Sequence, residues 1–171
     1  MSKLFDLQNK NVLLTGASKG MGLAMAQGLV NHGANVVISS RKLDQCQKAV
    51  DTINESVKQE KAFAFSCNAS SKDELNALVD FSISKLGSIT TLVCNAGVNS
   101  FFGSMSEIDD ESYDKTMNTN VKSNHWLINM VSPFMKESGG GSIMITSSIA
   151  AFDASETCLL YTSDAADERS W

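Results

Sequence analysis

The chain has 171 residues, 43% of them hydrophobic, and its 14 basic and 19 acidic side chains give a net charge of −5. The length fits about one domain, and an acidic chain with scattered lysines and arginines argues against a nucleic-acid-binding surface. No apolar run approaches the roughly 20 residues that span a bilayer, and the start lacks the apolar stretch of a secretion signal. We therefore expect a cytoplasmic protein without a membrane partner.

The four cysteines, Cys46, Cys67, Cys94 and Cys158, lie far apart, and none forms a C-x-x-C pair. This spacing disfavours both a metal site and a disulfide framework. We expect the cysteines to be small buried hydrophobic residues, and we expect no metal.

Five short apolar runs alternate with helix-length segments. The runs are Asn11–Thr15, Asn35–Ser39, Ala62–Phe65, Thr91–Cys94 and Ser142–Thr146. Most lack polar alternation, which is typical of parallel strands covered on both faces. Between them apolar residues recur at intervals of three and four, with Met21, Met25 and Leu29 on one stripe. The order predicts an α/β fold, a Rossmann-like doubly wound parallel sheet with strands ordered 3-2-1-4-5, formed by residues 1–157.

The first predicted strand runs into a glycine-rich turn, Thr15-Gly16-Ala17-Ser18-Lys19-Gly20-Met21-Gly22. Gly16 would permit the tight turn, Gly20 the close approach of a pyrophosphate, and Gly22 the packing of the helix on the strand. Backbone N–H groups at the helix N-terminus would face the phosphates. A structural strand-to-helix turn is the alternative, because single glycine motifs are common. The spacing also differs from the usual dinucleotide-binding pattern, with three residues rather than one between the first two glycines.

The end of the second predicted strand should select the cofactor. It reads Ser39-Ser40-Arg41-Lys42 and contains no carboxylate. A carboxylate would accept hydrogen bonds from a ribose 2′-OH, whereas a basic residue favours a 2′-phosphate. We predict NADP(H), with Arg41 carrying most of the preference and Lys19 adding charge over the same phosphate. The alternative is a solvated Arg41 at a helix start.

Four ordered motifs are similar to the short-chain dehydrogenase/reductase family over nearly all of residues 8–157. They are the glycine turn, Cys94-Asn95-Ala96-Gly97, Asn120 in Asn118-Thr119-Asn120-Val121-Lys122, and Ser148 in Ile145-Thr146-Ser147-Ser148-Ile149-Ala150. Cys94 replaces the first residue of the family's Asn-Asn-Ala-Gly signature. Residues 37–42, 95–103 and 140–152 are most similar to the dehydrogenase/reductase member 4-like branch of peroxisomal-type carbonyl and retinal reductases, which leaves a peroxisomal location open.

The resemblance implies an NADP(H)-dependent oxidoreductase that interconverts a carbonyl compound and an alcohol by hydride transfer, assembled as a homodimer or homotetramer. Ser148 would donate a hydrogen bond to the substrate oxygen, with Ser147 as its rival, and Asn120 would order a water near the catalytic lysine. Asn120 could instead be a buried amide that satisfies backbone carbonyls. The candidate cofactor-binding residues are Gly16, Ser18, Lys19, Gly20, Met21, Gly22, Ser40, Arg41, Asn68, Ala69, Asn95, Ala96 and Gly97.

Tyr161 stands thirteen positions after Ser148, where the family has its proton donor, but Ala165 replaces the lysine expected four positions later. Alanine can neither lower the pKa of a tyrosine nor bind a ribose, so we expect Tyr161 to be a poor proton donor. Residues 158–168 resemble a translated sequencing adapter, and we expect 158–171 to be a non-native tail. A divergent natural terminus is the alternative.

The family's last strands and helices have no counterpart in this chain. We therefore expect the fifth strand to be an exposed edge and the chain by itself to be inactive. Besides the reductase, two further hypotheses stand at this point: a dinucleotide-binding module without chemistry, and a truncated chain without a function of its own.

Overall fold

The computed structural model describes residues 5–148, so the predictions for Cys158, Tyr161, Ala165 and the tail lie outside the described residues. The strands are β1 (Asn11–Thr15), β2 (Asn35–Ser40), β3 (Ala62–Ser66), β4 (Thr91–Cys94) and β5 (Ser142–Ile145). The helices are α1 (Gly20–Asn31), α2 (Leu43–Val57), α3 (Lys72–Leu86), α4 (Asp110–Met117) and α5 (Ser123–Glu137). A 3-10 turn, Met105–Glu107, precedes α4, and a π-helical segment, Asn118–Lys122, joins α4 to α5.

The five strands form one parallel sheet in the order β3-β2-β1-β4-β5, which confirms the predicted topology. β1 lies at the centre, and all five of its residues are buried. β2 and β3 lie on one side of β1, and β4 and β5 lie on the other. The direction in which successive strands are added therefore reverses between β1 and β4. A crevice outside the carboxyl ends of the strands is expected at such a switch point.

Successive residues of β1 pack into two separate cores, because side chains of a strand alternate between the two faces of the sheet. Val12 and Leu14 pack with residues of α1 and α2, whereas Leu13 packs with residues of α3 and α5. All three side chains are at most 1% exposed. An unbroken apolar run is therefore what a central strand covered on both faces requires.

The sheet is less evenly covered than the sequence predicted. All four residues of β5 are exposed, and Met144 retains 56% of its accessible surface. Residues 142–145 form one edge of the described sheet, so the prediction of coverage on both faces is wrong for β5. The expectation of an exposed edge is met for these residues.

Helix α1 begins at Gly20, so the last two glycines of the turn lie in its first turn rather than before it. Its buried residues are Gly22, Ala26 and Val30, while Met21 is 68% exposed. The stripe that contains Met21 therefore lies beside the buried face and not on it. The smallest residues face the sheet because the helix approaches β1 and the glycine turn closely.

The helical connection from β4 to β5 is interrupted, between α4 and α5, by the π-helical segment around Asn120. Such insertions widen one turn of a helix and are frequent at functional sites. None of the helices within residues 5–148 is both long and apolar enough to cross a membrane.

Candidate functional site

A cleft of about 610 Å³ opens at the carboxyl ends of β1 to β4. This volume is typical of small-molecule sites, which enclose about 300–1,000 Å³. Its walls come from the glycine turn, from the loops that follow β2, β3 and β4, and from α4 and the π-helical segment. Parallel strands bring these loops to one edge of the sheet, although they are far apart in the sequence.

The cleft brings together ten of the predicted cofactor-binding residues. They are Gly16, Ser18, Lys19, Ser40, Arg41, Asn68, Ala69, Asn95, Ala96 and Gly97. Five other predicted site residues, Gly20, Met21, Gly22, Asn120 and Ser148, do not line this cleft.

The glycine turn depends on glycine for two different reasons. Gly16 has a φ of +66°, and a Cβ there would lie 2.8 Å from the Cα of Ala96, so both conformation and packing exclude a side chain. Gly20 has a φ of +59°, but a Cβ there would meet nothing within 4 Å. Lys19 is the N-cap of α1 and makes no side-chain cap hydrogen bond. No N-cap side chain therefore accepts a hydrogen bond from the first N–H groups of α1, which lie next to the cleft.

Asn95 fastens the turn to the ends of the neighbouring strands. Its Nδ2 donates to the carbonyls of Thr15 (3.2 Å) and Gly16 (3.0 Å), and its Oδ1 accepts from Thr146 Oγ1 (3.1 Å). Thr15 Oγ1 in turn accepts from the backbone N–H groups of Asn95 and Ala96, both at 3.1 Å. The Asn95 amide therefore holds three strand ends in register. Sequence reasoning missed Thr15 and Thr146, and the only signal was a hydroxyl at the end of an apolar strand.

Four residues lining the cleft are cationic, namely Lys19, Arg41, Lys42 and Lys115, and none of the described lining residues is acidic. This contrasts with the net charge of −5 for the whole chain. A concave site lined by one sign of charge concentrates ligands of the opposite sign. The cleft is therefore suited to an anion, and sequence reasoning had missed the contribution of Lys115 from α4.

The loops after β2 and β3 are held by their own hydrogen bonds. Ser66 Oγ donates to the carbonyl of Arg41 at 3.2 Å, and Ser40 Oγ lies 3.1 Å from the Sγ of Cys46. In the loop after β3, the N–H of Asn68 donates to Glu74 Oε2 at 2.8 Å. These contacts fix the backbone of two loops that contain the predicted cofactor-binding residues Ser40, Arg41, Asn68 and Ala69.

The cysteines near the cleft are unreactive thiols. Cys46, Cys67 and Cys94 are buried and free, as expected from their spacing. Burial, followed by the charge of Glu74, raises the pKa of Cys67 to about 12, and burial raises the pKa of Cys94 to about 11. A thiolate is the nucleophilic form, so neither side chain supplies a nucleophile at neutral pH.

A sequence model of the short chain dehydrogenases matches residues 10–165. The chain belongs to the short-chain dehydrogenase family. Dehydrogenase/reductase SDR family member 4 of Pongo abelii and of Homo sapiens are each 38% identical to it over 158 residues, covering 91% of the chain and 55% of the relative. The chain thus spans about half the length of these curated relatives. The predicted family and branch are confirmed.

Solved structures agree with the fold. A 7α-hydroxysteroid dehydrogenase in complex with NADH and 7-oxoglycochenodeoxycholic acid superimposes with a TM-score of 0.86 at 34% identity, over 95% of this chain and 62% of that one. A short-chain dehydrogenase/reductase from Mycobacterium marinum gives a TM-score of 0.86 at 31% identity, over 95% of this chain and 65% of that one. The family consists of oxidoreductases that bind a nicotinamide dinucleotide.

In this short-chain dehydrogenase, Asn120 uses its side chain to hold a loop. Its Oδ1 accepts from the N–H of Val98 and its Nδ2 donates to the carbonyl of Val98, both at 2.8 Å. The side chain thus hydrogen-bonds a backbone carbonyl, as in the alternative interpretation of Asn120. A Cβ at Gly97 would lie 3.6 Å from Asn120 Oδ1. Ser148 lies three residues beyond β5 and is exposed.

Proposed function

We propose that this chain carries the cofactor-binding half of an NADP(H)-dependent oxidoreductase that interconverts a ketone or aldehyde and an alcohol by hydride transfer. The observation that supports it best is the cleft at the strand ends, where the glycine turn meets a wall whose described residues include four cations and no carboxylate. Membership of the family supports an oxidoreductase reaction, and the basic residues after β2 favour NADP(H).

The cleft fits a dinucleotide in shape and charge. Gly16 and Gly20 add no side chain to the turn, and the N-terminus of α1, which directly follows the lining residue Lys19, would hold the pyrophosphate. Arg41, with Lys19, would hold a ribose 2′-phosphate through charge-assisted hydrogen bonds. The loop after β3, containing Asn68 and Ala69, would contact the adenine. When bound, the cofactor gives or takes the hydride.

The other residues prepare the site for that transfer. The Asn95 and Thr15 hydrogen bonds hold the strand ends in place, and Asn120 holds the backbone at Val98, next to Gly97 of the cleft wall. Ser148 would donate a hydrogen bond to the substrate oxygen, where negative charge develops during reduction. Because Ala165 cannot assist Tyr161, we propose that the chain by itself does not turn over substrate.

Dissociation constants for NADPH and NADH, measured by titration calorimetry on the 171-residue chain, test the choice of cofactor. Arg41→Ala should weaken NADPH binding about 10- to 100-fold, the loss expected for charge-assisted hydrogen bonds, and leave NADH within about twofold. Lys48→Ala is the matched control, because Lys48 is exposed on α2 and does not line the cleft. Equal or tighter binding of NADH by the unaltered chain would refute the assignment.

NADPH consumption on a panel of ketones and aldehydes tests the reaction itself. The assay compares the longest natural product of the source gene with the 171-residue chain. Turnover by the former alone is the expected result. Nucleotide binding without turnover by both would favour the second candidate, a dinucleotide-binding module without chemistry, which rests on the alanine at position 165. We also propose assembly as a homodimer or homotetramer, which sedimentation velocity of the longest product would measure.

A further inference from the structure

The two ends of the cleft are joined by a hydrogen bond between hydroxyl groups that lie 49 residues apart in the sequence. Ser70 Oγ, in the loop between β3 and α3, lies 2.6 Å from Thr119 Oγ1, in the π-helical segment. Both residues line the cleft, and Thr119 is only 7% exposed. Ser70 lies outside the four family motifs identified in the sequence, and Thr119 lies in one of them only as the neighbour of Asn120.

On one side this bond reaches the predicted adenine loop. The backbone N–H of Ser70 donates to Asn68 Oδ1 at 3.2 Å, and the N–H of Ser71 donates to the carbonyl of Asn68 at 2.9 Å. Ser71 is also the N-cap of α3. The loop is thus a tight turn fixed on α3, and the Ser70 side chain ties it to the facing wall of the cleft.

On the other side the bond reaches the loop after β4. Thr119 immediately precedes Asn120, whose amide makes both hydrogen bonds to the backbone of Val98. The carbonyl of Thr119 accepts from the buried Ser123 Oγ at 2.6 Å, so the backbone of the π-helical segment is itself pinned to α5. Ser70 is therefore bonded to a short piece of backbone that is itself held by hydrogen bonds to α5 and to the loop after β4.

We propose that Ser70 and Thr119 are positioning residues that couple occupation of the adenine end of the cleft to the conformation of the loop at Val98. This rests on the proposed function, because it assumes a nucleotide at that end. A ligand that orders the adenine loop then also orders the loop that leads from Gly97 through Val98. Coupling between two sites is a measurable free energy, and a chain of hydrogen bonds such as this one can carry it.

The test uses adenosine 2′,5′-bisphosphate, a probe that carries the adenine and the 2′-phosphate but no nicotinamide. Hydrogen exchange at the N–H of Val98 is followed in the 171-residue chain with and without saturating probe, with amides of α5 as the reference for general stabilisation. The probe should slow exchange at Val98 more than in α5. Thr119→Val should abolish this extra protection, and Thr119→Ser, which keeps the hydroxyl, should restore it.

Thr116→Val is the matched control, because Thr116 is also buried but its hydroxyl bonds within α4, to the carbonyl of Ser112 at 2.9 Å. Thr119→Val and Ser70→Ala should each weaken probe binding about 3- to 10-fold, the value of one hydrogen bond, and the double variant should be no weaker than either. Probe binding without extra protection at Val98, or protection that survives in Thr119→Val, overturns the coupling alone. Failure of both the probe and NADPH to bind overturns the proposed function as well.

Discussion

Two glycines of α1 should respond in opposite directions to the same substitution. Alanine in place of a helical glycine stabilises a helix by about 1 kcal/mol where there is room for the methyl group. At Gly28 a Cβ would meet nothing within 4 Å. At Gly22 it would lie 2.7 Å from Asn95 Nδ2 and 2.8 Å from the Cα of Ala17, and it would overlap the carbonyl oxygen of Gly16.

The magnitude at Gly22 follows from these contacts. Two of the three clashing atoms belong to the backbone of the glycine turn and cannot rotate away, so overpacking costs about 1–3 kcal/mol. Displacing Asn95 Nδ2 also loses its two hydrogen bonds, at about 1 kcal/mol each. After the gain in helix propensity of about 1 kcal/mol, Gly22→Ala should destabilise the chain by about 2–4 kcal/mol.

Urea unfolding of the unaltered chain and the two variants, followed by far-ultraviolet circular dichroism, measures the difference. Gly28→Ala should raise the free energy of unfolding by about 0.5–1 kcal/mol, and Gly22→Ala should lower it and also weaken NADPH binding, because the turn moves. If Gly22→Ala is as stable as Gly28→Ala, the close approach of α1 to the turn, and with it this account of the turn, is refuted.

Three further substitutions test other parts of the fold. Asn54→Ala should lower the free energy of unfolding by about 1–3 kcal/mol in the same assay, because Asn54 Oδ1 accepts from two N–H groups at the start of β3, at 2.9 and 2.8 Å. Asn120→Ala removes both hydrogen bonds to the Val98 backbone and should lower the free energy of unfolding by about 2 kcal/mol or more. Asn129→Ala, at an exposed site, is the control and should change it by less than about 0.5 kcal/mol. Equal effects of the two substitutions would contradict the role of Asn120. The unfolded Cys94 thiol ionises near pH 9.0 and the folded one near pH 11, so the unfolded state is favoured as pH rises between these values, by about 1.4 kcal/mol per pH unit. Unfolding measured across this range should lose that part of its pH dependence in Cys94→Ala, and an unchanged slope would contradict the burial of the thiol.

The sequence by itself determined the strands, their order and the glycine turn. Val12, Leu13 and Leu14 form an unbroken apolar run, and a strand covered on both faces buries such a short run completely. A left-handed backbone at Gly16 and Gly20 is a local property, so the turn could also be predicted from glycine spacing. The basic residue at the end of β2 could also be predicted from local sequence, because Arg41 directly follows the strand.

Tertiary structure alone decided which distant side chains meet at the site. Asn95 meets Thr146 across 51 residues, and Ser70 meets Thr119 across 49. Lys115 reaches the cleft from α4, whereas the other three cations lie in the loops that precede α1 and α2. Nothing in local periodicity encodes such pairs, because they depend on how the crossovers place loops along one edge of the sheet. The π-helical segment could not be predicted from the sequence either. The side chains of Ser123 and Asn124 donate to its carbonyls at Thr119 and Asn120, but in the sequence they are only polar residues within a helix.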